Sequence, residues 1–459
     1  MGFSLSSASR LARGVILLVA SLALLVGLVS QAKAADRLTL IRDAEIEATI
    51  RTYADPLLHV AGLDREAVQV HLVQDSRLNA FVAGGMNLFI NTGLLQSSET
   101  PNEVIGVIAH EIGHISGGHL IRRQEALENA TAEAILATVL GAVVIAAGGG
   151  EAGAVVIQGG QAAAQGSLLR YSQGQESAAD QAGLKYLEQT GQSARGLLKL
   201  FRKLEDQELL ISARQSPYLR THPLTRERVR AVEFEIERSK YSSAEDPPER
   251  LEAHRRMVAK LVGFIEPTDK VLRLYPLKDK SVYARYARAV SYHRQTDLPR
   301  ALAEIDSLIA EQPADPFFHE LKGQILFEQG KVKESIAPYA ESVRLAPDEP
   351  LLRYGYGRAL IESGESEGLD EAVRQLKIAV EREPTYAAYW HFYGVALGRT
   401  GKMPESALAF AERAVLKREY AEARFHAEKA SNGLKSGSPQ WLRAQDILNE
   451  ANNQKDADR

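Results

Sequence analysis

The sequence of 459 residues contains no cysteine. It therefore has no disulfide to form in an oxidising compartment and no thiol for lipid attachment, and its fold has to stand on apolar burial alone. An excess of positive charge is missing too. Lysine and arginine number 55 against 59 acidic residues, and the first 34 residues hold three of the basic side chains (Arg10, Arg13, Lys33) and no acidic one. The remainder carries 52 against 59, a formal charge of −7, which argues against nucleic acid as a partner. A disorder-prone composition is also absent. With 45% hydrophobic and 25% charged residues, the chain suits two or three globular domains.

Long apolar runs are scarce, and the clearest stands near the amino terminus. Arg10 and Arg13 precede an uncharged apolar run from Gly14 to Val29, followed by Ala32-Lys33-Ala34. A basic start, an apolar middle and small residues at A-x-A spacing read as a signal peptide over residues 1–34. The run approaches spanning length, so a retained membrane anchor is the alternative. A second apolar stretch, Ala132 to Ala147, is interrupted by Glu133 and is too short to span a bilayer. Glycine-rich sequence follows from Gly148 to Gly166 and predicts mobility. A lid over a cleft, a surface touching lipid or unfolded strands, and a buried core helix with a flexible exit are the readings open for it.

Residues 35–238 mix helical periodicity with short strand signals, the clearest being Ala67 to Val73 and Asn87 to Asn91, the latter approached through Gly84-Gly85. This predicts an α+β domain. Residues 239–280 form a polar stretch broken by Pro247-Pro248 and Pro267, read as a helical connector belonging to neither neighbouring core. Beyond it the chain repeats itself over residues 281–435. Gly323, Gly357 and Gly394 recur at intervals of 34 and 37, a spacing shared by Pro313, Pro347 and Pro384 and by Ala301, Ser335, Ala372 and Ser406. A period of 34 with small residues where two helices cross and a proline closing the second helix is that of the tetratricopeptide repeat. The extra residues fall in the turn around Glu365 to Gly368, Ala289 replaces the first glycine, and Trp390 leads the last repeat. About four such hairpins stack into a curved solenoid with a concave face. Residues 436–459 read as a polar tail.

The chemistry-bearing pattern lies in the first domain. Thr100-Pro101-Asn102-Glu103 reads as a helix start, with Thr100 as cap, Pro101 in the first turn and Glu103 closing a capping box. The apolar helix that follows carries His110-Glu111-Ile112-Gly113-His114. Four-residue spacing stacks His110 and His114 on one face, where neutral imidazoles bind zinc without cancelling its charge, and Glu111 projects beside them as a general base that takes a proton from water and delivers it to a leaving amine. A third protein ligand is needed to leave one position open. His119, with Gly117 and Gly118 before it, is one residue short of the H-E-x-x-H-x-x-G-x-x-H spacing. Glu176-Ser177-Ala178-Ala179-Asp180 offers the preferred alternative: on a helix Glu176 and Asp180 share a face, the first to bind metal and the second to accept from a ligand histidine's other ring nitrogen. His119 then stands behind the ligands or merely begins a helix.

Together, HEIGH at 110–114, ESAAD at 176–180, Asn79-Ala80-Phe81 followed by Gly84-Gly85 and a strand, and Thr221-His222-Pro223-Leu224 resemble the gluzincin family that includes the Oma and CAAX prenyl proteases. The layout resembles that of a periplasmic protease-chaperone of the family with carboxy-terminal tetratricopeptide repeats, and the likeness covers nearly the whole mature chain. It implies a zincin-like α+β metallopeptidase domain followed by an all-α repeat solenoid. It further implies zinc held by His110, His114 and Glu176, Glu111 as base, Asp180 in support, and His222 as a reversible fourth ligand or an oxyanion stabiliser. Arg228 pairs with the site's carboxylates or coats a helix. The implied role is quality control of outer-membrane β-barrel proteins beside their assembly machinery, in the periplasm. The alternative is a repeat-based chaperone or adaptor whose metal site is latched and largely silent. Asn79 and the strand Asn87 to Asn91 are the expected edge for an extended substrate, an ordinary core strand being the alternative for the latter. The signal-peptide reading predicts that the mature chain begins at Ala35; a mass that includes residues 1–34 establishes a retained anchor instead.

Overall fold

Asp43 starts the first long helix because its Oδ1 accepts from the Ile46 N–H at 3.0 Å, and acidic residues in the first turn complement the helix dipole. The computed structural model describes residues 38–146, 150–208 and 217–457; the signal segment 1–34 and Gly148 and Gly149 lie outside the described residues. In chain order the first unit comprises β1 (Leu40–Ile41), α1 (Ala44–Val60), β2 (Gln69–Val73), β3 (Ala80–Ala83), β4 (Asn87–Asn91), α2 (Thr92–Ser97), α3 (Pro101–Ser116), α4 (His119–Ala146), α5 (Gly150–Gln189), α6 (Arg195–Glu208), α7 (Pro217–Thr221) and α8 (Arg226–Arg238). The strands form one sheet in the order β1-β2-β4-β3. β4 runs parallel to β2 and antiparallel to β3. Alternation sends Ala80, Val82, Leu88 and Ile90 into the core, where they meet α1 and α3.

Four expectations are corrected. Thr100 has the extended backbone of a cap, but its side chain makes no capping bond; Glu103 instead accepts from the Glu99 N–H and pairs with Lys199 and Lys203. The strand Asn87–Asn91 is internal, so β3 is the edge on that side of the sheet. From Gly150 to Gly166 the chain is helical, and Ala132 to Ala146 belongs to α4, so the glycine-rich segment continues an antiparallel α4–α5 hairpin. A Cβ on Gly160 would collide with that of Ala137, so at this level only the Ala137 methyl group separates the two arms. The bulky groups consequently turn outward: Ile135, Leu136, Val139 and Leu140 are exposed, which rules out a buried core helix. Finally, the connector forms α9 (Pro248–Ile265) and α10 (Thr268–Leu274), and Met257 and Leu261 of α9 are buried in the core of the first unit.

The repeats are α11 (Val282–Arg294), α12 (Leu298–Glu311), α13 (Pro316–Glu328), α14 (Val332–Leu345), α15 (Pro350–Glu362), α16 (Leu369–Arg382), α17 (Ala387–Arg399), α18 (Met403–Leu416), α19 (Tyr420–Gly433) and α20 (Pro439–Ala457). Among the described residues they make five hairpins, one more than the spacing indicated, because the polar tail is the helix α20, seated by Ala444, Ile447 and Ala451. The recurrent glycines have a steric cause. A Cβ on Gly323 would lie 2.8 Å from the Tyr339 ring, and one on Gly357 2.7 Å from Leu376. The residues inserted near 365 form a single 3-10 turn, Ser366–Gly368.

The two units meet at a buried charge cluster. Lys260 Nζ, on α9, lies 2.8 Å from Asp43 and 3.3 Å from Glu45 at the start of α1, and 3.8 Å from Glu320 on α13. Tyr286 donates to Glu45 at 2.6 Å, Arg256 bridges Glu45 to Asp315, and Arg42 reaches Glu383 at 2.9 Å. Burial would lower the Lys260 pKa, yet Asp43 and the neighbouring anions hold it well above the ordinary value. Lys260 is 1% exposed, so Lys260→Met leaves carboxylates buried without their cation and is expected to cost about 3 kcal/mol. Urea denaturation measures it; an unchanged midpoint would show that the cluster does not hold the units together.

Candidate metal centre and active site

Two glycines let the site form. A Cβ on Gly113 of α3 would lie 2.6 Å from the Ala179 carbonyl oxygen, and one on Gly183 of α5 would lie 3.1 Å from the Ala109 backbone. Helices α3 and α5 thus touch backbone to backbone: a side chain at Gly113 would collide with the facing carbonyl, and one at Gly183 would crowd the facing backbone. The contact sets His110 and His114 directly against Glu176 and Asp180. A ligand atom from each of His110, His114, Glu176 and His222 lies within 4.8 Å of the others, and all four residues are buried.

The donor chemistry fits a cation. His110 Nδ1 donates to Asp180 at 2.8 Å, which leaves its Nε2 as the free donor atom. His114 Nδ1 stands 2.9 Å from Nδ1 of His119, and donation from His114 to His119 leaves the His114 Nε2 lone pair likewise free. The two Nε2 atoms face one another at 3.1 Å. Glu176 oxygens lie 3.4 Å from His110 Nε2 and 3.3 Å from His114 Nε2. Two lone pairs and a carboxylate converging in a buried space are mutually repulsive until a proton or a metal ion lies between them.

Arg228, on α8, supports the carboxylates from behind. Its Nε donates to Asp180 at 2.6 Å, its Nη1 lies 3.0 Å from Glu176, and the same group donates to the Pro223 carbonyl. Burial alone would push the Asp180 carboxyl up, but Arg228 and His110 hold it below the usual carboxylate range. Glu176 is likewise depressed against its own burial by the imidazoles of His110, His114 and His222 around it. Glu111 behaves differently. It is fully buried, neither of its oxygens has a hydrogen-bond partner, and His222 Nε2 approaches Oε1 only to 3.4 Å. Burial, opposed by His110 and His114, pushes it up to about 7, a value suited to exchanging protons near neutrality.

The structure therefore brings His110, Glu111, His114, Glu176, Asp180 and His222 into one cluster. His119 is outside the donor group and backs His114, while Arg228 takes the pairing alternative. His222 Nδ1 lies 3.1 Å from both Glu176 oxygens and 3.3 Å from His110 Nε2. Tyr218 also packs against the cluster, its ring centroid 4.6 Å from that of His222, and it sits on a five-residue helix too short to give a periodic signal in the sequence. A cleft of about 290 Å³ opens onto the cluster, lined by Asn79, Phe81, His114, Glu176, Thr221 and His222 among others. The Asn79 Oδ1 is buried there without a hydrogen-bond partner. Among the described residues, no helix is long and apolar enough to cross a membrane.

Comparison with known proteins accords with this geometry. Residues 41–236 match the model of peptidase family M48, and residues 286–350 and 357–424 match that of the tetratricopeptide repeat. The chain is 25% identical over 408 residues to the beta-barrel assembly-enhancing protease of Yersinia pestis, covering 88% of this chain and 83% of that protein. It is 23% identical over 409 residues to the beta-barrel assembly-enhancing protease of Escherichia coli (strain K12), covering 88% and 82%. To the metalloprotease LoiP of the same strain it is 29% identical over 167 residues, covering 36% and 60%. The chain joins a peptidase family M48 metalloendopeptidase domain to carboxy-terminal tetratricopeptide repeats.

Proposed function

We propose that this protein is a zinc endopeptidase of the periplasm, exported by its amino-terminal segment, that degrades or assists misfolded outer-membrane proteins. The observation that carries the reading is the convergence of His110, His114 and Glu176 beside Glu111, a buried carboxylate with no hydrogen-bond partner. Two imidazoles, one carboxylate and one further position match the set that catalytic zinc takes. Zinc held there supplies a Lewis acid that acidifies water and polarises a peptide carbonyl.

The chain's own residues do the rest. Asp180, oriented by Arg228, fixes His110 so that Nε2 is its free donor. Glu111 takes the proton of the attacking water and passes it to the departing amine nitrogen. Asn79 and the outer edge of β3 hold the substrate extended, through backbone hydrogen bonds that accept many sequences. His222, whose Nδ1 lies among the donors, acts as a latch and must withdraw before a peptide enters. The repeats present clients or dock an assembly complex, a role supported by the likeness to the beta-barrel assembly-enhancing proteases. The latch also favours a second reading, in which the repeats act as a chaperone while proteolysis stays silent.

Zinc content and casein cleavage of purified protein test these roles. The parent is expected to hold one zinc per chain and to lose activity on chelation. Glu111→Gln should keep the metal and lose on the order of 10²- to 10⁴-fold in kcat. His222→Ala should cleave faster than the parent. Asp180→Asn should weaken zinc affinity about 10- to 100-fold, measured by competition with a chelating dye. A metal-replete parent without zinc would overturn the peptidase reading. If Glu111→Gln leaves cellular function intact, the adaptor reading prevails.

A further inference from the structure

Three aromatic rings form a ladder across the sheet. Phe81 of β3 pairs in register with Phe89 of β4, and Phe89 with His71 of β2. Ring centroids are 4.9 Å apart in both pairs, with interplanar angles of 12° and 23°. The rings occupy the face turned away from the core and are half-buried. The His71 end is pinned. Asn87 Nδ2 donates to the Gly84 carbonyl at 2.8 Å, which leaves its Oδ1 to accept from His71 Nε2 at 2.8 Å. At the other end β3 is the last strand, and Phe81 lines the cleft with His114, Glu176 and His222.

On the reading above that substrate lies along β3, we propose that the substrate side chain paired with Phe81 is aromatic or β-branched and forms a fourth rung of this ladder. A peptide strand added to β3 places one residue directly opposite Phe81, with Cβ atoms about 5 Å apart and both side chains on the same face. Aromatic–aromatic and aromatic–β-branched pairs are the favoured ones at such positions. Because Phe89 backs Phe81, the ring is already ordered and loses little freedom on contact. The next substrate residue turns to the opposite face, and the one after it meets Ala83, whose methyl group leaves room for bulk. The selected segment therefore has bulky apolar residues at alternate positions, the pattern of a strand that buries one face.

Products of a mixed peptide library cut by the zinc-loaded parent are expected to show aromatic or β-branched residues enriched at one fixed distance from the cut. Two fluorescent peptides that differ only there, Phe against Ala, are then titrated into the Glu111→Gln protein. Adding Phe81→Ala should weaken the Phe peptide about fivefold, ~1 kcal/mol, and leave the Ala peptide unchanged; Phe81→Tyr should restore the difference. In turnover Phe81→Ala should raise KM for the Phe peptide with kcat nearly constant. Equal effects on both peptides, or cleavage without positional enrichment, overturn the fourth rung and leave the peptidase reading standing. If neither the zinc-loaded parent nor zinc-loaded His222→Ala cleaves any peptide, both readings are overturned.

Discussion

The backbone contact between α3 and α5 is the constraint from which the site follows. Metal-binding side chains are short, so their Cα atoms must be brought close before any donor set can converge. Gly113 and Gly183 remove the Cβ atoms that would hold the helices apart, and the flanking Val107, Ile108 and Ile112 bury α3 so that it cannot shift to relieve the contact. The glycine inside HEIGH is therefore as much a part of the centre as the histidines around it, although it carries no reactive group.

Rigidity on one side contrasts with readiness on the other. Asp180, Arg228 and His119 tie down the outward nitrogens of His110 and His114 and the backs of the carboxylates. Glu111 receives no such support: its oxygens have no hydrogen-bond partner, and burial pushes its carboxyl up to about 7. His222 belongs to neither class: it follows the short helix α7 and enters the cluster from a segment unrelated to α3 or α5. A residue delivered from outside the rigid pair is the one best able to leave it.

Much of this was legible in the sequence because periodic signals are local. The four-residue step from His110 to His114, the same step from Glu176 to Asp180, and the recurrence of small residues in the repeats each report a helix face that the structure reproduces. What could not be read depends on distant partners. β3 is only Ala-Phe-Val-Ala, too short and too small to outweigh β4 as a strand signal. The alanine- and glycine-rich hairpin looks mobile by composition, since glycine disfavours helix, but the fit of Gly160 against Ala137 supplies what propensity lacks. Lys260 and Tyr218 are ordinary residues in the sequence; only the fold surrounds the first with carboxylates and sets the second beside His222.

The hairpin α4–α5 also bears on how the centre assembles in time. It occupies the whole interval between the two halves of the donor set, and its antiparallel arms return the chain to nearly the point from which it left. Without it, joining the halves would require closing a loop of some sixty residues before any contact rewarded the closure. As the arms zip from their far ends toward their base, each step is a short-range event, and the search for Glu176 by His110 and His114 becomes the final stage of a local process. Until that stage, the nascent chain offers a metal ion only the adjacent histidine pair, so full affinity arises late, as a consequence of folding rather than as its cause.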